Sequence, residues 1–211
     1  MSESLYGYKL AMNFNCKCKR AVLKCLKEHC CIHDESYYVC MQLDACSEQD
    51  LINGLNKLCS PEFGLTFAAK IYLNGQCEGN TILYEENKYP FNCIGPVRFN
   101  WHPSQNQDTI EKKRSIWIWS HPSIYSQIEA ELVSVFKLSK QNESASDSPQ
   151  TKKIKLNNED QNGLYYESFD ERKIVLKPLK DKLNRFKLLG PMSTNILANL
   201  LQTADSSSTE E

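Results

Sequence analysis

Seven residues near the start of the chain have the types that ligate metals or attack electrophiles: Cys16, Cys18, Cys25, His29, Cys30, Cys31 and His33. A zinc site needs four thiolate or imidazole ligands converging tetrahedrally, supplied as C-x2–4-C with a comparable second pair. The first pair here, Cys16-x-Cys18, is one residue too tight, and a helix through Cys25 would turn Cys30 and Cys31 to different faces. The simpler reading is a set of reduced thiols with no metal and no cofactor. Cysteine–histidine catalysis would need a thiolate, a base and an orienting group within hydrogen-bond reach. No spacing ties His29, His33, His102 or His121 to one cysteine, and His102 and His121 each precede a proline, where capping or packing is the plainer role. The sequence has no G-x-S-x-G, no phosphate-cradling glycine loop and no H-E-x-x-H, so the common hydrolase and nucleotide templates fail.

Another kind of chemistry is electrostatic. Lys17, Lys19, Arg20, Lys24 and Lys27 form a compact cationic set able to meet phosphates. Lys88-Tyr89 and Arg98-x-x-Trp101-His102 each place a cation beside a ring that could stack on an unpaired base. The competing reading is a solvated helix face and aromatics packed into a sheet. Lys plus Arg number 25 against 26 Asp plus Glu, a net charge of −1, so there is no global basic footprint and any nucleic-acid surface must be local. Lys112-Lys113-Arg114 and Lys152-Lys153-x-Lys155 are short basic runs expected in loops, the second a candidate for a nuclear import receptor. Trp117 and Trp119 alternate on an expected strand and so share a side, expected as core-packing residues rather than a ligand cage.

The elements that must position these groups follow from periodicity. Residues 19–31 carry Ala21, Val22, Cys25, Leu26 and His29 at helical spacing, an amphipathic helix with a basic side. A strand is expected at 36–43, then a helix opened by Ser47 that buries Leu51, Ile52, Leu55 and Leu58. Residues 65–73 read as a strand ending in an Asn74-Gly75 hairpin turn, with a return strand at 78–85. Strands at 94–101 and 115–119, joined by a polar loop at 103–113, precede a helix entered through Pro122. Its buried face is Ile124, Ile128, Leu132, Val135 and Phe136, and it runs to about 138. Strands at 164–169, 173–176 and 186–189 and a helix at 193–202 complete the order, which is α+β with a largely antiparallel sheet.

With 211 residues, 41% of them hydrophobic, the chain suffices for one domain with a real core. The expected organisation is one α+β domain from 1–138 and 163–202, a flexible low-complexity insertion at 139–162 and a disordered acidic tail at 203–211. The first residues lack the apolar core of a signal peptide and no bilayer-length apolar run occurs, so the expectation is a soluble intracellular chain with no membrane partner. Its ten cysteines are then reduced, and Cys40 and Cys93 lie in apolar stretches as small hydrophobes.

Five phrases in fixed order carry a resemblance: S-Y-Y-V-C from Ser36, G-L-T-F-A-A from Gly64, N-K-Y-P from Asn87 with I-G-P from Ile94, W-I-W-S-H-P from Trp117, and N-R-F-K-L-L-G-P from Asn184. Together they resemble the large protein subunit shared by the eukaryotic ribonucleoproteins ribonuclease P and ribonuclease MRP, the processing-of-precursors family. The similarity is densest over 64–96. The resemblance implies a protein that is not itself an enzyme but binds and scaffolds a catalytic RNA, in the nucleus and nucleolus, with other protein subunits as partners. It supports 5′ processing of precursor tRNA and processing of precursor rRNA. It also implies a fold similar to the folate-binding domain of the glycine-cleavage T-protein. The family's His-, Trp-, Arg- and Lys-rich RNA-contacting motif and its Trp-containing C-terminal region have no counterpart in these residues, so the expectation is the central region of the family protein, either as part of a longer chain or as a shortened paralogue. The residues expected at RNA are Lys17, Lys19, Arg20, Lys24, Lys88, Tyr89, Arg98 and Arg185, of which Lys88, Tyr89 and Arg185 lie in these phrases and Arg20 in Lys19-Arg20-Ala21, through which the resemblance also runs. The alternative is a folate-like small-molecule binder or one-carbon-transfer enzyme on the same fold.

Overall fold

The computed structural model describes residues 2–11, 19–60, 62, 64–103, 114–141, 165–168 and 172–201. They fall into two compact units, Met1–Tyr37 with Asn184–Glu211, and Tyr38–Leu183. The larger unit is built on a seven-stranded, wholly antiparallel sheet. Its strands in chain order are β4 (Val39–Ala45), β5 (Gly79–Tyr84), β6 (Cys93–Trp101), β7 (Arg114–Ser120), β8 (Leu138–Gln141), β9 (Tyr165–Ser168) and β10 (Val175–Pro178), lying in the sheet as β5-β6-β7-β4-β10-β9-β8.

Alternation decides which side of this sheet is dry. Met41, Leu43 and Ala45 of β4, Ile116 and Ile118 of β7, and Val97, Phe99 and Trp101 of β6 turn to one face. Leu51, Ile52 and Leu55 of α2 (Glu48–Asn56) and Ile128, Leu132 and Val135 of α4 (Pro122–Val135) join them there in a single buried cluster. Each fully buried Leu or Ile in it contributes about 1.5–3 kcal/mol relative to exposure. Pro122 occupies the first helical position of α4, and the His121 side chain caps the helix by accepting from Ser123 N. Ser47 stands at the N-cap of α2 with no side-chain cap bond.

The opposite sheet face is polar and aromatic. Asp44 is 1% exposed and accepts from Lys177 Nζ (2.8 Å), Ser115 Oγ (2.6 Å) and Gln42 Nε2 (2.8 Å). Burial alone would raise its carboxyl, but the bonds from Lys177, Ser115 and Gln42 and the Lys177 charge outweigh that and hold it below the ordinary carboxylate range. Trp117 donates from Nε1 to Gln42 Oε1 (2.9 Å) and sits edge-on to Trp119 and His102. These tryptophans therefore pack outside the main apolar cluster.

Several expectations are corrected here. Residues 65–73 are not a strand: Phe67 is buried, and Lys70–Leu73 forms a short helix, α3. Asn74 is right-handed at φ −77° and caps that helix, so Asn74-Gly75 is not the expected hairpin turn. Gly75, at φ +76°, instead brings its backbone against β6, where a Cβ would lie 2.5 Å from Trp101 O. Arg114 begins β7 instead of closing a loop. It is 6% exposed, with Nη1 donating to His102 O, Nη2 to Leu73 O and Nε 2.7 Å from Glu48 Oε2. Cys93 is exposed, unlike the buried Cys40. Residues 139–141, expected within the insertion, lie in β8, while the rest of the insertion, the loop at 104–113 and the tail at 203–211 lie outside the described residues.

The smaller unit contains a hairpin of β1 (Ser2–Leu5) and β2 (Tyr8–Ala11), helix α1 (Lys19–Glu28), strand β3 (Cys31–Asp34), strand β11 (Phe186–Leu189) and helix α5 (Ser193–Leu200). β3, which periodicity does not reveal, pairs antiparallel with β11 from Phe186↔Asp34 to Leu189↔Cys31. No helix among the described residues is long and apolar enough to cross a membrane.

Candidate nucleic-acid interface

Helix α1 carries the cationic set. Lys19, Arg20, Lys24 and Lys27 are all exposed, and no acidic residue occupies its first turn. At 3.6 residues per turn, Arg20, Lys24 and Lys27 fall within about 60° of arc, a single ridge of positive charge. Lys24 Nζ lies 3.7 Å from Glu28 Oε2, with both side chains more than half exposed, a pairing that water screens and that leaves Lys24 able to exchange partners. The half-buried Cys25 and Leu26 hold the other side. Lys17 lies outside the described residues.

The other described RNA-contact candidates sit elsewhere, and Arg185, Arg98 and Tyr89 each have a partner inside the protein. Arg185 is 15% exposed at its side chain, and its Nε lies 3.4 Å from Glu35 Oε2. Its backbone is tied too: Arg185 N donates to Ser36 Oγ and Glu35 N to Arg185 O. In the larger unit, Arg98 on β6 pairs with Glu78 at 3.3 Å. It also borders a surface hollow of about 450 Å³ lined by Tyr38, Asn80, Thr81, Ile82, Pro96 and Val97. Lys88 and Tyr89 belong to the loop between β5 and β6. Lys88 is exposed, whereas the Tyr89 hydroxyl donates to Glu62 Oε2 (3.2 Å) and its ring stands edge-on to Tyr84. Of the seven that the structure describes, Lys19, Arg20 and Lys24 share one helix. The pairings of Arg185 with Glu35 and of Tyr89 with Glu62 carry no local sequence signal.

The Cys31 thiol is set against reactivity. Burial first, then the neighbouring Cys25 and Cys30, push the Cys31 thiol above its ordinary value, and a thiol that resists ionisation is a poor ligand and a poor nucleophile. Cys30 Sγ instead lies 3.4 Å from Ser193 Oγ. Among the described residues no cluster of three or more His, Cys, Asp or Glu is placed to hold a metal ion; Cys16 and Cys18 lie outside them.

No family model matches the chain. Curated proteins do. It is 27% identical over 94% of its length to the human ribonucleases P/MRP protein subunit POP1. Identity is 30% over 72% of its length to the ribonucleases P/MRP protein subunit popl-1 of Caenorhabditis elegans, and 25% over 58% to the POP1 subunit of Arabidopsis thaliana. The chain spans 23% of the human protein and 18% of each of the other two. This chain is a POP1-like member of the family of ribonuclease P and MRP protein subunits.

Proposed function

We propose that the chain is a non-catalytic RNA-binding and scaffolding component of ribonuclease P and ribonuclease MRP, acting in the nucleus and nucleolus. It supports 5′ maturation of precursor tRNA and processing of precursor rRNA by holding the particle RNA and contacting other protein subunits. The observation that carries this reading is the exposed cationic ridge of α1 in a POP1-like chain. Arg20, Lys24 and Lys27 form the ridge offered to phosphates, with Lys19 about 100° round the helix from Arg20, and the helix's own acidic residue pairs with only one of them. Lys17, Arg98 and Arg185 remain proposed contacts of lower reach, Arg98 and Arg185 because each already has a partner within the protein, whereas Lys88 and Tyr89 sit in a loop bordered by carboxylates and are not among them. The fold proposed for the larger unit is that of the folate-binding domain of the glycine-cleavage T-protein, used here as a frame rather than as a ligand site.

The test is recovery of RNA with the tagged chain from nuclear extract. Enrichment of the ribonuclease P or ribonuclease MRP RNA over an unrelated abundant RNA is the expected result. Enrichment of neither would sink the assignment.

A further inference from the structure

The loop at 85–92, between β5 and β6, holds Phe91 at 73% exposure, and it does so by construction. Glu85 N donates to Asn92 O, Lys88 N to Glu85 O and Phe91 N to Lys88 O (2.7 Å), closing the loop on itself. Asn92 Nδ2 donates to Glu85 Oε2 (2.6 Å), and Asn87 N reaches back to Lys57 O (2.9 Å). Asn87 and Asn92 take positive φ of 57° and 53°, a conformation asparagine accepts more readily than most residues. Tyr84 and Glu62 brace Tyr89 from the side. A ring presented to water by a fixed backbone is an anchor that another surface can receive without ordering it first.

Charge decides what that surface is. Glu62 meets Tyr89 in the loop, Glu85 and Glu86 belong to it, and Glu131 of α4 accepts from Glu86 N. Against these four carboxylates stand Lys88 and Lys57, and Lys57 is tied to Glu86 at 3.0 Å. A base-stacking aromatic works beside cations that hold the phosphate backbone, so an acidic border opposes RNA here. The same border suits a cationic rim on a protein.

We infer that loop 85–92 is a docking knob for another protein chain, one that offers an apolar socket for Phe91 rimmed by Lys or Arg. This rests on the proposed role within a particle of several proteins. The full chain, carrying a benzophenone analogue of phenylalanine in place of Phe91, is assembled with the particle RNA and the other subunits and then irradiated. The expected product is an adduct to a subunit polypeptide that survives ribonuclease and maps to a peptide containing Lys or Arg. In parallel, Phe91→Ser should lower recovery of that subunit by about tenfold or more, with the RNA retained and the melting temperature unchanged. An RNA adduct, no adduct in a particle that has taken up the chain, or unchanged subunit recovery overturns the docking site and leaves the particle role standing. Failure of the chain to enter an RNA-containing particle overturns both.

Discussion

Gly54 of α2 is where two physical effects of opposite sign meet, and replacing it with alanine shows which is larger. Glycine within a helix costs about 1 kcal/mol relative to alanine, so on propensity alone Gly54→Ala should stabilise the protein. Gly54 is buried, however, and a Cβ built there lies inside contact distance of Phe136 Cε1 and Cζ and 3.0 Å from Cδ1. Carbon atoms rest at about 3.5–4.0 Å, so the ring would have to retreat by about 1 Å or more. Phe136 is fully buried and packed within the main cluster, leaving it no free direction. Overpacking of this kind costs about 3 kcal/mol at the upper end of its usual range. The net expectation is destabilisation by about 2 kcal/mol, a fall in melting temperature of about 4–8 °C for a chain of this size. Thermal and urea unfolding followed by far-ultraviolet circular dichroism measure it. Adding Phe136→Leu, which removes the ring, should make the double variant about 2 kcal/mol less damaged than the two single costs imply. A neutral or stabilised Gly54→Ala protein, or strict additivity, would refute the packing argument.

Other consequences follow from the charge network. Asp44→Ala removes the acceptor shared by Lys177, Ser115 and Gln42 and should cost about 3 kcal/mol at neutral pH, measured by urea denaturation. Because the Asp44 carboxyl is held below its ordinary value, its contribution is complete above the unfolded-state carboxylate range of about 3.9 and is lost as pH falls through the lower folded value. The stability gap between wild type and Asp44→Asn should therefore narrow on acidification below about pH 4, and a gap that widens there would contradict the sign. Arg185→Ala leaves Glu35, 8% exposed, without its guanidinium partner and should destabilise the protein by about 3 kcal/mol. An Arg185→Ala chain with unchanged melting and weakened RNA binding would mean the residue faces RNA after all.

Strongly local patterns were legible in the amino-acid order. The alternation of Ile116, Trp117, Ile118 and Trp119 marks β7 and its two faces, and Pro122 with Ile128 and Leu132 marks α4 and its buried side. The basic ridge of α1 was readable for the same reason, since residues on one helix need no distant partner to define it. What failed was largely non-local, although the β1–β2 hairpin is local and was not read either. β3 is mostly exposed, so it shows no apolar alternation, and its partner β11 lies about 150 positions away. Residues 65–73 mislead because Phe67, Tyr72 and Leu73 are apolar enough for a strand, while their burial follows the packing of a turn and the short α3 on β6. Arg114 looked like the end of a cationic loop, yet its guanidinium is fixed by carbonyls of His102 and Leu73 that no spacing rule connects to it. The acidic setting of Phe91 is likewise assembled from Glu62, Glu85, Glu86 and Glu131, which only folding gathers.

The most direct test of the central claim is the salt dependence of binding to the particle RNA, compared between the wild-type chain and a variant with Lys19→Ala, Arg20→Ala and Lys24→Ala. Each phosphate contact contributes about 0.7–0.9 to the slope of log K against log salt, so losing three should lower the slope by about 2–3 and weaken binding most at low salt. An unchanged slope with unchanged affinity would contradict the assignment of RNA contact to α1.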